Sequence, residues 1–177
     1  MIYRQLIAAG KRHLRQVQGA PGPVPVPGLN NLFPFGARWM YDRLQELHPS
    51  DDRPFNPAIN YTGYGLFKYG CCLIGAILPG LSSHSRLFIP LSIGIFYLLE
   101  VHFLFMFPLL IDGTPQPLRT SIRAAYKIGL GQCLITVIPM ACYMMIGLLR
   151  KKDPFRNWYI GCLAIVIWYE HDIRNRL

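Results

Sequence analysis

The stretch that decides the fold comprises residues 87–111, LFIPLSIGIFYLLEVHFLFMFPLLI, in which Glu100 is the one charged side chain. At 25 residues it exceeds the roughly 20 apolar residues that a helix needs to cross the hydrocarbon core of a bilayer. Pro90 and Pro108 lie near its two ends, where a missing N–H costs least, so we expect its centre to stay helical. The stretch predicts a transmembrane helix.

Three further apolar runs follow the same logic with different lengths. Residues 128–149 have no charged side chain and predict another span, in which Pro139 predicts a kink or a locally opened backbone. Residues 69–85 are only just long enough to cross. Residues 158–169 are too few for an ordinary span but have aromatic residues at both ends, so they predict either a short span or a re-entrant helix.

The composition of the 177-residue chain supports a membrane location, because 52% of the residues are hydrophobic and only 15% are charged. Charge is concentrated outside the apolar runs. We therefore predict a membrane-peripheral region over residues 1–62 and a transmembrane helical region over residues 63–177. The predicted fold is an all-α integral membrane protein with three to four transmembrane helices.

The peripheral region has three predicted parts. Residues 1–18 contain several basic residues and no acid, and their apolar spacing predicts an amphipathic helix that lies in a membrane interface or serves as a targeting segment. Residues 20–36 are rich in proline and glycine, which predicts an extended strap lying on a partner or on the headgroup layer. Residues 37–48 predict a short helix.

The net charge of +9 points to lipid, since the basic residues flank apolar runs and form no continuous patch with stacking aromatic residues. We expect no nucleic-acid partner. Arg150, Lys151, Lys152 and Arg156 follow the run at 128–149 and are the predicted contacts to anionic headgroups. A bound phospholipid of cardiolipin type is therefore expected, and no other cofactor.

Glu100 is the most informative single residue, because an acid near the middle of a span is costly and is by default a functional hypothesis. It predicts either a proton or ion relay or an interhelical hydrogen bond. His102 is a second candidate for the same roles, but two residues along a helix it points about 200° away from Glu100, so the pair cannot bind one ligand from one helix.

A stripe of small residues, Cys72, Ala76 and Gly80, recurs every four residues along the run at 69–85. Such a stripe lets membrane helices approach closely, which predicts a helix-packing face. The alternative is the general enrichment of glycine in membrane helices. No sequence feature separates the two interpretations.

Catalytic and metal-binding motifs are not expected. The cluster Glu170-His171-Asp172 combines acids with an imidazole, but adjacent residues do not face each other on a helix, and a solvated helix end is the simpler interpretation. The histidines lack the spacing of a metal site. We therefore expect neither an enzyme nor a metal site.

Together these features predict a non-catalytic accessory subunit of a larger membrane complex, with the other subunits and anionic lipids as its partners. We expect an energy-transducing assembly of respiratory-chain or ATP-synthase type in the mitochondrial inner membrane, with the bacterial inner membrane as the alternative. A small transporter or proton-conducting component that uses Glu100 is the second hypothesis, and a lipid-modifying enzyme is the third.

Overall fold

The computed structural model describes residues 3–18, 31–49, 53–82, 88–150 and 153–174, which form helices and connecting turns without a β-strand. The all-α prediction is confirmed for these residues. The helices are α1 (Tyr3–Gln18), α2 (Leu32–Leu47), α3 (Tyr61–Ser82), α4 (Phe88–His102), α5 (Met106–Ile111), α6 (Pro117–Ile128), α7 (Leu130–Leu148) and α8 (Arg156–Asp172).

Two stretches of the described chain are long and apolar enough to cross a membrane, judged by length and composition. They are Phe88–Ile111, which joins α4 to α5, and Leu130–Leu148, which is α7. Both coincide with runs that the sequence singles out. The prediction of three or four spans stays a prediction for the run at 69–85, which lies within α3 up to Ser82, and for the run at 158–169, which lies within α8.

The helices divide between two compact units. One unit combines Met1–Phe55 with Ile135–Leu177, and the other is Asn56–Leu134. The first therefore contains α1, α2, α8 and most of α7, and the second contains α3 to α6 and the start of α7. The predicted division at residue 62 concerned the position of each region relative to a membrane, and it stays a prediction.

In the first unit α8 is the central element. Its buried side chains lie all around the helix: Ile160, Leu163, Ala164, Val166, Ile167, Trp168 and Tyr169. The α1 helix crosses it closely at Gly10, where a Cβ would come within 3.0 Å of the Ile160 carbonyl oxygen. The α2 helix covers another side, with the Trp39 ring 5.3 Å from the Tyr159 ring.

This packing changes the interpretation of α1. We expected its apolar face to lie in a membrane interface, but Leu6, Ile7 and Leu14 are buried, and α1 packs against α8. The basic face is the exposed one. A helix has one apolar stripe, and here another helix of the same unit covers it.

The α2 helix begins earlier than predicted, because residues 32–36, assigned to the extended strap, form its first turn. Pro34 is the third residue of the helix, where its missing N–H leaves no helical bond unmade. The helix predicted over residues 37–48 thus covers Leu32–Leu47. The rest of the strap, residues 20–30, lies outside the described residues.

The α3 helix also begins before the predicted run, at Tyr61. Asn60 fixes this start, since its side-chain Oδ1 accepts a hydrogen bond of 2.8 Å from the Gly63 N–H, as an N-cap does. The helix reaches Ser82, and the rest of the run at 69–85 lies outside the described residues.

The centre of residues 87–111 is helical, as predicted, but the helix is interrupted further along. α4 ends at His102 and α5 begins at Met106. Between them the backbone hydrogen bonds join residues three positions apart: Phe103 N donates to Glu100 O at 3.1 Å, and Met106 N donates to Phe103 O at 3.1 Å. Pro108 explains the change, because in a continuous helix its ring would clash with the carbonyl of the residue four positions earlier. The interruption places Pro108 in the first turn of α5, where proline is tolerated.

Asp112-Gly113 and two prolines in residues 112–117 indicate a polar connection after the span, but the structure has a helix there. Pro117 is the first residue of α6 and pre-sets its backbone angle. Ser121, Ala124 and Ala125 form a buried face against α5 and the end of α4. Gly129, with φ of 101°, ends the helix in a conformation that favours glycine, and α7 begins at the next residue. Prolines that looked like turn signals therefore start a helix.

Candidate functional site

The most distinctive polar group lies between α3 and α4. These helices are antiparallel, since Phe67 of α3 contacts Phe103 near the end of α4, and Gly75, further along α3, approaches Leu99. On their facing sides the Lys68 Nζ lies 2.7 Å from Glu100 Oε1. The side chains are only 7% and 15% exposed, respectively. The acid that the sequence singles out thus has a cationic partner on the neighbouring helix.

Local helix geometry places a third group at this pair. Lys68 and Cys72 are four residues apart, so they share one face of α3. The Cys72 Sγ donates to the second carboxylate oxygen, Glu100 Oε2, at 3.8 Å. The Lys68 ammonium also lies over the Tyr69 ring, 5.2 Å from the ring centroid. Glu100 is therefore held by one ion pair and one thiol.

The electrostatics of the pair favour a structural role. Removing two charges from water is expensive, and their mutual attraction offsets this cost only when the geometry is good and the remaining polar atoms have partners. A 2.7 Å contact and a bonded second oxygen meet that condition. A thiol that donates to a carboxylate is in its protonated form, which makes Cys72 a packing residue and a weak donor here.

The predicted packing stripe begins beside this pair. Cys72 is fully buried and Ala76 is half-buried. Gly80 belongs to α3, but its surroundings lie outside the described residues. The α3 helix also approaches α4 closely at Gly75, where an added Cβ would collide with the Leu99 side chain. Lys68 lies four residues before Cys72, so it shares the face of the predicted stripe.

His102 lies apart from Glu100, as its spacing along the helix indicates. Its Nδ1 is 2.6 Å from the Leu98 carbonyl oxygen, within the same helix. Its ring packs edge-on against Tyr126 of α6, with centroids 5.7 Å apart. Among the residues that the structure describes, no group of three His, Cys, Asp or Glu side chains could hold a metal ion.

Sequence reasoning missed Ser121, which supports the interruption between α4 and α5. Its Oγ donates to the His102 carbonyl oxygen at 2.8 Å and accepts from the Phe105 N–H at 3.2 Å. These are backbone groups at the two sides of the interruption. One hydroxyl from α6 thus satisfies both an acceptor and a donor that would otherwise be buried without partners.

The other predicted side chains take different positions. Arg150 and Arg156 are exposed, as headgroup contacts require, while Lys151 and Lys152 lie outside the described residues. Glu170 corrects the expectation of a solvated helix end. It is buried, and its carboxylate lies 2.8 Å from His48 Nδ1 and 2.9 Å from Arg174. Its imidazole partner comes from the end of α2 and is not the adjacent His171.

A similar ion pair joins α1 to α2. His13 Nε2 lies 3.2 Å from Glu46 Oε2, and Arg43 lies 2.8 Å from the other oxygen of the same carboxylate. The charged side chains of the first unit thus link helices to one another. Such links fix the position of α1 and α2 around α8.

No family model, no characterised protein and no solved structure matches this chain. Its function is therefore argued from its own contacts.

Proposed function

We propose that the chain is an integral membrane protein and a non-catalytic subunit of a larger membrane complex. One observation carries the membrane part of the proposal: the burial in the α3–α4 hairpin is inverted. The charged side chains Lys68 and Glu100 face inward toward each other, while large apolar side chains face outward. Lipid as the surrounding solvent accounts for this inversion.

The outward apolar side chains are numerous and continuous along the helices. On α3 they include Leu66, Leu73, Ile74, Ile77 and Leu78, and on α4 Ile89, Leu91, Ile93 and Leu98. On α7 they include Ile135, Ile138, Met145 and Ile146. Soluble monomers rarely expose contiguous apolar patches beyond a few hundred square ångströms. The two stretches with the length and composition of a span add weaker support.

The non-catalytic part of the proposal rests on what the candidate polar groups do. Glu100 bonds Lys68 and Cys72, His102 lies on a carbonyl of its own helix, and Ser121 bonds the interrupted backbone. Each of these groups joins or stabilises helices. The one thiol among them, Cys72, is fully buried and donates to a carboxylate that Lys68 also holds, whereas reactive cysteines are partly exposed to their substrates.

The proposal of a larger assembly rests on the open faces of the helices. Among the residues that the structure describes, α3 and α4 pack against each other, and only 28% of the apolar window of α7 is buried. These faces suit further helices or lipid. The energy-transducing complex, the mitochondrial inner membrane and its bacterial alternative stay proposals from sequence.

Fractionation and purification test the proposal. Membranes from cells expressing the tagged chain are washed with alkaline carbonate and then extracted with a mild detergent. We expect the chain to stay with the membrane through the wash and to co-purify with other subunits after extraction. Release by carbonate would refute membrane integration, and a stable 20.2 kDa monomer without partners would refute the subunit role.

The proton-conducting hypothesis makes a separate prediction at the same acid. A relay needs Glu100 to exchange protons with successive partners, whereas here Lys68 and Cys72 each contact one of its carboxylate oxygens. Glu100→Gln in proteoliposomes distinguishes the two. We expect no change in proton flux across the vesicle membrane, and an abolished pH-dependent flux in a correctly folded variant would establish the relay instead.

A further inference from the structure

A row of cations lies along the exposed face of α6. Arg119, Arg123 and Lys127 are four residues apart and all exposed, so they form one stripe. The helix has no acidic residue. Neighbouring like charges at this spacing repel each other and destabilise a helix. A helix that keeps three such charges in a row is suited to an anionic surface that neutralises them.

The other face of α6 is already occupied. Pro117, Ser121, Ala124 and Ala125 are buried against α5 and the end of α4. The Ser121 hydroxyl, bonded to His102 O and Phe105 N, fixes the rotation of the helix about its axis. The cationic stripe is therefore held outward by the packing of the opposite face.

The position of α6 in the chain places it at a membrane surface, a step that rests on the proposed function. It lies between the two stretches that are apolar enough to span, one ending at Ile111 and the other beginning at Leu130. A connection between two consecutive spans lies at the level of the headgroups. The 12 residues of α6 form a rod about 18 Å long, which fits along that surface.

One aromatic side chain of α6 supports this placement. The Tyr126 ring, 60% exposed, meets the ring of His102. Amphipathic and aromatic rings concentrate where hydrocarbon gives way to headgroups. Tyr126 lies between Arg123 and Lys127 in the sequence, so its ring and these positive charges lie at a similar depth in the membrane surface.

We propose that the α6 stripe of Arg119, Arg123 and Lys127 is a binding surface for anionic phospholipid headgroups. Phosphodiester oxygens accept hydrogen bonds from guanidinium and ammonium groups, and each basic residue at a membrane surface adds attraction to anionic lipid. The site is separate from the basic cluster at residues 150–156 that the sequence indicates. Its partner is the lipid surface, and an acidic protein face would be a different partner.

The test uses the full chain in nanodiscs with equal amounts of phosphatidylglycerol and phosphatidylcholine. A photocrosslinking p-benzoylphenylalanine replaces Tyr126, and mass spectrometry counts the two crosslinked lipids. The test variant is Arg119→Gln/Arg123→Gln/Lys127→Gln. The matched control, Arg4→Gln/Arg12→Gln/Arg15→Gln, removes three exposed cations from α1 and the same net charge.

We expect phosphatidylglycerol to be crosslinked about fivefold more than phosphatidylcholine, the ratio that one basic residue at a membrane surface supplies. The ratio should fall to near one in the α6 variant and stay unchanged in the control. A ratio near one in the unmodified stripe, an unchanged ratio in the α6 variant, or crosslinks to a protein in native membranes would overturn the lipid site. A chain that does not enter nanodiscs at all would instead refute the proposed membrane location.

Discussion

Lys68 on α3 and Glu100 on α4 form a 2.7 Å ion pair that faces the inside of an otherwise apolar helix pair. The pair ties together two helices whose other contacts are apolar. Each charge is stable in this place because of the other. Removing one of them alone therefore leaves the other charge buried and unpaired, whereas removing both does not.

The first prediction follows from this dependence. Lys68→Met and Glu100→Gln should each lower the free energy of unfolding by about 3 kcal/mol, because each leaves a buried charge unpaired. The double variant should lose less than either single variant. Unfolding in mild detergent, followed by circular dichroism, measures all four proteins. Additive losses in the double variant would show that the two residues act independently.

The second prediction concerns Ser121. Ser121→Ala should lower the free energy of unfolding by about 2 kcal/mol, since it removes the hydrogen bonds that Ser121 makes with His102 O and Phe105 N in a buried site. Ser92 provides the control, because its buried hydroxyl has no hydrogen-bond partner among the described residues. Ser92→Ala should change stability by less than about 0.5 kcal/mol. If the two changes lower the free energy of unfolding equally, the hydrogen bonds of Ser121 do not stabilise the interruption.

The third prediction concerns the crossing of α1 and α8. Gly10→Val should separate the helices, because even a Cβ at this position lies 3.0 Å from the Ile160 carbonyl oxygen. Trypsin should then cut α1 faster at Lys11 and Arg12, with the time course followed by mass spectrometry. Ala8→Val adds the same side chain on the exposed face of α1 and should leave the cleavage rate unchanged. Similar rates in both variants would contradict the close crossing.

The fourth prediction concerns Glu170. Glu170→Gln should lower the free energy of unfolding by about 3 kcal/mol, because it removes the negative charge 2.9 Å from the largely buried Arg174. Asp42→Asn breaks the exposed pair with Arg38 and should cost less than about 1 kcal/mol. Thermal unfolding of the two variants against the unmodified chain measures the difference. A loss of the same size in both would show that burial of Glu170 does not matter.

The elements that the sequence predicts best are those whose signal is local. The apolar stretches that became α4 with α5 and α7 are visible from length and composition. The start of α6 was missed because Pro117 looked like a turn signal, although proline in the first position of a helix followed by buried Ser121 and Ala125 is a helix pattern.

The pairings were beyond local patterns. Lys68 looked like the charged flank of a span, and only the packing of α3 on α4 turns it toward Glu100. Glu170 finds His48, 122 positions earlier in the chain, while its neighbour His171 is exposed. Such contacts depend on which helices meet, and no periodicity within one helix encodes that choice.

The interruption between α4 and α5 also constrains the order of events during synthesis. His102 and Phe105 leave the ribosome before Ser121, from which they are 19 and 16 positions apart. Until α6 has been made, the carbonyl and the N–H at the interruption need another partner, such as water or the insertion machinery. Release of this part of the chain into lipid therefore has to wait for the helix that follows it.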